Sequence, residues 1–441
     1  MSRCHDGAPE TVTHVMAGFG AALLPDLDRC LPPRSLLVVE EPDVVAARDL
    51  GRRATAHPCV AGVLTAPIHE EDDLSAVLAA VPRPRNVRAV LPGVEYGVSA
   101  AAALADHWGL PGAGVTAARV LRDKALLREA GERAGVPQPR WRRATCAADV
   151  RSFRDQEGHG CVLKPANRQG SLGVQLLDAT DDLDEAWRHT VEADEPRLRA
   201  RRPLPASFLV EERVDGPEIS VECVVFEGQV LFRNVTAKNV RPGRHPVEMG
   251  HHVPAILPPG VSERVTSAME RLVAATGFRT GFLHAEWILR GSGRQPVLVE
   301  CAGRVPGDCI HELIDLAHGG SLLADLLTVL SGSANVPHRE PHRHAAIRFL
   351  NCPPGKVLSV RGTQEAEEPA DVVKVHIATA PGKETGIVSN SHERAGYVVV
   401  TGRDRADTTA LLDAVSARIR FDVRPRQDAP KDGWCEAGRA T

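Results

Sequence analysis

Two segments near residue 290 carry acids at spacings that can do chemistry. In GFLHAEWIL, residues 281–289, the two-residue period of a strand puts His284 and Glu286 on one face. In QPVLVECAGRVPGD, residues 295–308, an apolar run ends at Glu300, and the intervening GSGRQ reads as a turn. Antiparallel pairing then sets Glu286 beside Glu300. Two carboxylates so placed repel unless a cation stands between them. An oxygen-only pair of this kind suits Mg²⁺ that also bridges phosphates. Arg304, just past the second strand, is placed to meet an anion. A solvated sheet face is the alternative for the same residues.

A second segment is CVLKPANRQGSLGVQLL, residues 161–177. A strand delivers Lys164, a turn containing Gly170, Ser171 and Gly173 follows, and a second strand returns. N–H groups in such a turn can converge on an anion, and glycine lets backbone approach phosphate closely. An ordinary hairpin with a surface lysine is the alternative. No GK[ST] follows, so this is not a Walker loop. A third segment, FLVEERVDGPEISVE, sets Glu211, Glu212 and Glu218 around a strand end and a turn. Alone, such acids read as solvent-facing. Lysine is scarce, with only seven among the 53 basic residues. Lys124, Lys164 and Lys238 mark positions where a compact ammonium is wanted rather than a planar fork.

The elements that must hold these residues follow from periodicity. Up to about residue 112, apolar β-branched runs such as SLLVVEE and VAGVLTA alternate with helical stretches, which predicts a parallel sheet covered on both faces. Gly18 and Gly20 do not complete a GxGxxG, so this part reads as scaffold rather than as a dinucleotide site. RDKALLREAGERAG, residues 122–135, is an amphipathic helix closed by Gly135 and Pro137. From Cys161 onward strand-like runs dominate, interrupted by the helix SERVTSAMERLVAATG. The His338, His342 and His344 connector reads as a surface linker, HELID at residues 311–315 is not HExxH, and residues 426–441 read as a disordered tail.

Composition sets the outer limits. With 441 residues, 25% charged and 43% hydrophobic, the chain has the make-up of about two to four globular domains. A net charge of −4 argues against a nucleic-acid partner. No run approaches the roughly 18 apolar residues of a membrane span, and no basic-then-apolar leader is visible, so a cytoplasmic site without a membrane partner is expected. Ten cysteines without a CxxC pair read as reduced thiols.

The three segments in this order, with Lys124 upstream and Lys238 between, resemble the ATP-grasp superfamily over roughly residues 10 to 425. The resemblance is nearest to its carboxylate–amine ligases, especially the amino-acid (dipeptide) ligases of bacterial biosynthesis. It implies an α/β fold: an N-terminal Rossmann-like parallel-sheet domain (1–112), a central lobe (113–205) and a C-terminal lobe (206–425, with an accessory part 345–425), the two α+β lobes holding ATP. It also implies roles. Lys124 and Lys164 contact phosphates, and the 170–173 loop is a flap over them. Glu211, with the backbones of Glu212 and Val214, reads adenine, and Glu218 the ribose. Glu286 and Glu300 bind one or two Mg²⁺ ions; Asn is usual two residues beyond the second acid, where Ala302 stands here, so phosphate oxygens and water must complete the sphere. Lys238 lies near the γ-phosphate. Glu248 and the His251–His252 pair border the acceptor pocket. Arg304 steadies an acyl phosphate, and His284 completes the reactive set with Arg304, Lys238 and Glu248. Arg348 and Arg394 fall in the accessory part as structural residues. The implied activity is ADP-forming amide synthesis from a small-molecule carboxylate and amine, in natural-product biosynthesis, with a homodimer as the oligomeric expectation. A bicarbonate-dependent carboxylase and a non-catalytic nucleotide-binding regulator are the alternatives.

Overall fold

Apolar runs too short to be helices open the chain as strands β1 (His14–Ala17), β2 (Leu36–Glu40), β3 (Val60–Thr65) and β4 (Ala89–Pro92). They form a parallel sheet in the order β3-β2-β1-β4. The computed structural model describes residues 10–69, 73–158 and 160–425; the tail expected over 426–441 lies outside the described residues. β1 is buried throughout. One face packs on Ala100, Ala101 and Leu104 of the helix Val98–His107, the other on Leu24 and Leu27 of the helix Leu24–Cys30. Such two-sided burial is what a continuous apolar strand requires. Gly18 and Gly93 follow β1 and β4, and a Cβ on Gly93 would lie 2.1 Å from the Gly18 carbonyl oxygen. Only glycine allows this approach, which delivers Glu95 and Tyr96 beyond the carboxyl ends of the strands.

A second sheet contains β5 (Trp141–Ala144), β6 (Cys161–Pro165), β7 (Gln175–Leu177) and β8 (Phe208–Glu212), antiparallel in the order β5-β8-β6-β7. The helices Ala147–Glu157 and Leu183–Glu192 cover it through Val150, Phe153, Leu183 and Ala186. β8 thus hydrogen-bonds within the sheet of the central lobe, although a division at 205/206 assigns it to the following lobe.

The third sheet has eight strands, of which six are β9 (Glu218–Phe226), β10 (Gln229–Val240), β11 (Glu248–Val253), β12 (Gly281–Arg290), β13 (Gln295–Ala302) and β14 (His344–Leu350). The remaining strands are β15 (Gly355–Arg361), β16 (Val372–Ile377), β17 (Glu384–Thr385), β18 (Gly396–Gly402) and β19 (Arg420–Arg424). Its order, β13-β12-β9-β10-β11-β14-β18-β16, runs through the accessory part, while β17-β15-β19 form a small separate sheet. β9 shows why one face matters. Ile219, Val221 and Cys223 pack with Leu283, Ala285 and Trp287 under the helix Val261–Thr276. The alternate residues Glu218, Ser220 and Glu222 face the other way. No single described helix is long and apolar enough to cross a membrane. The eight described cysteines are free thiols.

Gly93→Ala forces the β1 and β4 termini apart. We expect it to lower unfolding stability by about 1–3 kcal/mol, read as a shift of the urea midpoint; an unchanged midpoint would show that the approach of Gly18 and Gly93 is not a constraint.

Candidate active site

The polar face of the third sheet is a register of cross-strand pairs. Glu286 stands opposite Glu300 on β13 and opposite Ser220 on β9, and His284 stands opposite Glu222. On the other side of β9, Glu222 pairs with Asn234 and Ser220 with Thr236. Lys238, further along β10, pairs with His251 on β11. The hairpin expected from GSGRQ is present, with an irregularity between Glu286 and Trp287.

Of these, Lys238, His251, His284, Glu286 and Glu300 border a cleft of about 620 Å³. Lys238 is 8% exposed, and its ammonium lies 2.8 Å from Glu286, 3.1 Å from Glu248 and 3.8 Å from Glu218. Burial opposes its charge, but Glu286, Glu248 and Glu218 together raise its pKa well above the ordinary lysine value. Glu218 is pushed up to about 7, first by burial; Glu286, Glu248 and Glu300 also raise it, against the pull of Lys238. Glu286 is held well below the carboxylate range by Lys238 and His284 despite burial. His284 bridges Glu222 (3.0 Å from Nδ1) and Glu286 (3.2 Å from Nε2). Those two acids overcome its burial and hold it at about 9. So placed, His284 has both ring nitrogens engaged by carboxylates, and its direct work is on Glu286.

Two further lysines of the cleft come from two other elements. Lys124 opens the helix Lys124–Arg133, whose N-terminus is capped by the Asp123 carboxylate accepting from the N–H groups of Ala125 and Leu126. Its ammonium donates to the Arg168 carbonyl at 2.9 Å and pairs with Glu300 at 2.9 Å. Lys164, on β6, pairs with Glu211 at 2.7 Å. Burial lowers Lys164 to about 8, with Glu211 acting against the shift. After it the chain turns through Gly170, Ser171 and Gly173 with φ of 62°, 58° and 72°. The left-handed backbone there favours glycine at two of the three positions.

The geometry gives several of the expected residues specific partners. The Glu211 carboxylate is clasped by Arg128, at 2.9 Å from Nε and 3.2 Å from Nη2, and by Lys164. It therefore positions Lys164 and is not free to read a base. The Glu212 N–H donates to the Arg140 carbonyl at 2.8 Å and its side chain meets Arg290 at 3.0 Å. The two histidines of the 251–252 pair diverge, as neighbours on a strand must. His251 meets Asp308 at 3.1 Å on the cleft side, whereas the His252 ring lies tilted against His344, 5.5 Å between centroids, and is held by burial at about 3.

Glu95, Asp308 and Ser391, which the sequence reading passed over, brace the cleft through their partners. Arg304 is fixed by Glu95, in the turn that follows β4, at 2.6 Å from Nε, and Glu95 also takes Arg122 at 2.6 Å. The two guanidinium groups hold Glu95 at about 2 against its burial. Asp308, with φ of 57°, receives Arg394 at 2.5 and 2.8 Å. Arg394, expected to be structural only, lines the cleft with Ser391 and His392. Ser391 donates to Glu248 at 3.3 Å, and its N–H reaches the Gly170 carbonyl at 3.3 Å. Arg348 pairs outward with Asp413, and His311 of HELID bonds Asp26 at 3.0 Å. Arg128 lies one helical turn beyond Lys124, a spacing that could have revealed it; Glu95 and Arg394 have no local signal.

Glu211→Leu leaves the buried Arg128 and Lys164 without their shared counter-charge. We expect a loss of about 3–5 kcal/mol in urea unfolding, because breaking a buried pair leaves uncompensated charge. An unchanged urea midpoint would contradict this.

Comparison with known proteins agrees with the architecture. The ATP-grasp domain family matches residues 157–312, and the L-amino acid ligase C-terminal domain 2 matches residues 348–424. An uncharacterised Sinorhizobium fredii protein is 28% identical over 327 residues, 73% of this chain and 65% of its own length. Alanine–anticapsin ligase of Bacillus subtilis is 26% identical over 255 residues, 55% of this chain and 53% of its own length. The matches thus span about half to two thirds of these relatives. The crystal structure of an L-amino acid ligase from Bacillus licheniformis superposes with a TM-score of 0.73 at 17% identity, covering 94% of this chain and 99% of that one. Residues 157–312 thus match the ATP-grasp domain and residues 348–424 the C-terminal domain 2 of L-amino acid ligases, and the fold is similar to that of an L-amino acid ligase.

Proposed function

We propose that this chain is an ATP-dependent carboxylate–amine ligase that joins amino-acid-like substrates through an acyl phosphate and releases ADP and phosphate. The observation that carries the reading is the convergence of Lys124, Lys164, Lys238, Glu286, Glu300 and Arg304 on one cleft, beside a left-handed glycine turn. Among the described residues, no group of three or more His, Cys, Asp or Glu side chains could hold a metal ion. Glu286 and Glu300, paired across two strands, fit instead a Mg²⁺ whose remaining ligands are phosphate oxygens and water. Bound there, Mg²⁺ supplies charge neutralisation at the transferring phosphoryl group.

The chain's own residues then account for the steps. Lys124 and Lys164 hold the phosphates, and Lys238 faces the transferring group. An oxygen of the substrate carboxylate attacks the γ-phosphorus and the bond to the β-phosphate oxygen breaks, leaving ADP. Positioning and electrostatics carry such a transfer. An amine next attacks the acyl carbon, loses a proton, and phosphate departs. Arg304, its orientation set by Glu95, offers a planar donor to the oxyanion of that second step. The contact of Ser391 with Gly170 brings the accessory part against the glycine turn, a barrier to water that a hydrolysable acyl phosphate needs.

The direct test is product analysis with pooled amino acids and hydroxylamine. ADP, phosphate and an amino-acid hydroxamate are expected, and Glu300→Gln should reduce them by at least about a hundredfold, equivalent to about 2.7 kcal/mol of barrier. AMP and pyrophosphate would overturn the acyl-phosphate route. ADP release that requires bicarbonate rather than an amine would assign a carboxylase.

Lys164 adds a pH signature. Its charge is lost as pH rises through about 8, and phosphate binds the charged form. ADP affinity is therefore expected to fall, by up to about tenfold at pH 9. Lys164→Arg, charged throughout this range, should flatten the profile; an identical decline in the arginine variant would place the titrating group elsewhere.

A further inference from the structure

Behind Glu286 lies a carboxylate with no access to the cleft or to solvent. Glu222 is 0% exposed, and each of its oxygens receives two donors. Oε1 accepts from Ser220 Oγ at 2.6 Å and from His284 Nδ1 at 3.0 Å. Oε2 accepts from Thr236 Oγ1 at 2.8 Å and from Asn234 Nδ2 at 2.9 Å. An ionised carboxylate offers about four acceptor sites, so Glu222 is saturated. The network is anchored further in the core, where Asn234 Oδ1 meets His318 Nε2 at 3.2 Å and His318 Nδ1 meets the Arg339 carbonyl at 3.2 Å.

Saturation has a directional consequence. Glu222 can only accept, so His284 Nδ1 must donate to it. The ring plane is thereby set, and Nε2 is aimed at Glu286. Nε2 reaches Oε1 of Glu286 at 3.2 Å, and Lys238 reaches the same oxygen at 2.8 Å. Both of these nearest contacts fall on Oε1. Two donors on one oxygen fix the carboxylate rotation and leave the other oxygen for a ligand. The cross-strand register supports the same geometry, since Glu222 faces His284 directly and Ser220 faces Glu286.

We infer that Glu222 and His284 are positioning residues that orient Glu286 to take a divalent cation through Oε2. This rests on the reading of Glu286 as a metal-binding acid and names what presets it. Polar partners behind a metal ligand typically change metal affinity by about 10- to 100-fold when removed. A buried polar cluster that serves stability alone would leave metal affinity untouched.

The test is Mn²⁺ binding to the full-length protein saturated with ADP, followed by electron paramagnetic resonance, with ADP affinity measured separately without metal. Glu222→Gln and His284→Gln are each expected to weaken Mn²⁺ binding by about tenfold or more and to leave metal-free ADP affinity within about twofold. Ser220→Ala removes one donor to Glu222 and no charge; it should weaken Mn²⁺ binding by a smaller factor, and it carries the test if the other two do not fold. Wild-type Mn²⁺ affinity in the folded variants overturns the positioning role while leaving the nucleotide site intact. A wild-type protein that binds ADP without recruiting Mn²⁺ overturns the metal reading itself, and with it this one.

Discussion

The ammonium of Lys238, enclosed by Glu286, Glu248 and Glu218, is the interaction on which the site depends. Bringing these charges out of water is costly, and mutual attraction offsets the cost only when the geometry is close. The cluster draws its members from β9, β10, β11 and β12. A one-residue slip of any of these strands would turn its acids into the apolar layer around Trp287. The register of the sheet and the integrity of the site are therefore one condition.

A second ion cluster solves a different problem. Arg128 joins Glu211 on β8 to the Val299 carbonyl on β13, at 2.7 Å from the latter. It ties the sheet that carries Lys164 to the strand that carries Glu300. The loop between β10 and β11 makes another tie, because the Arg244 carbonyl accepts from the Leu176 N–H at 2.8 Å and its guanidinium holds Gln175. The cleft is thus bounded by two sheets that are fixed to one another by hydrogen bonds at its base and at its mouth.

The first sheet and the accessory part reach the same cleft from opposite ends of the chain. Glu95 approaches Arg304 from one side, and Arg394 approaches Asp308 from the other. Each supplies the counter-charge for a group that follows Glu300 within a few residues. The segment 304–308 is consequently held by two carboxylate–guanidinium pairs, which suits a stretch that must present a donor at a fixed place. Tyr96, hydrogen-bonded to Glu195, joins the first sheet to the loop that follows the helix Leu183–Glu192 and so extends the same enclosure.

What the sequence determined by itself was local. The strand period of two placed His284 with Glu286, the GSGRQ turn paired Glu286 with Glu300, and the glycines after Lys164 set a left-handed turn. These follow from backbone geometry over ten to twenty residues. The alternation Glu218, Ser220, Glu222 inside an otherwise apolar strand was equally legible, yet a buried acid cannot be told from a solvated one without knowing what covers it. The tertiary structure alone decided that Glu211 meets Arg128, that Glu95 and Arg394 enter the site, and that His251 and His252 serve different faces. Each of those assignments depends on the electrostatic environment created when distant segments exclude water together, and no local pattern encodes which charge will find which partner there.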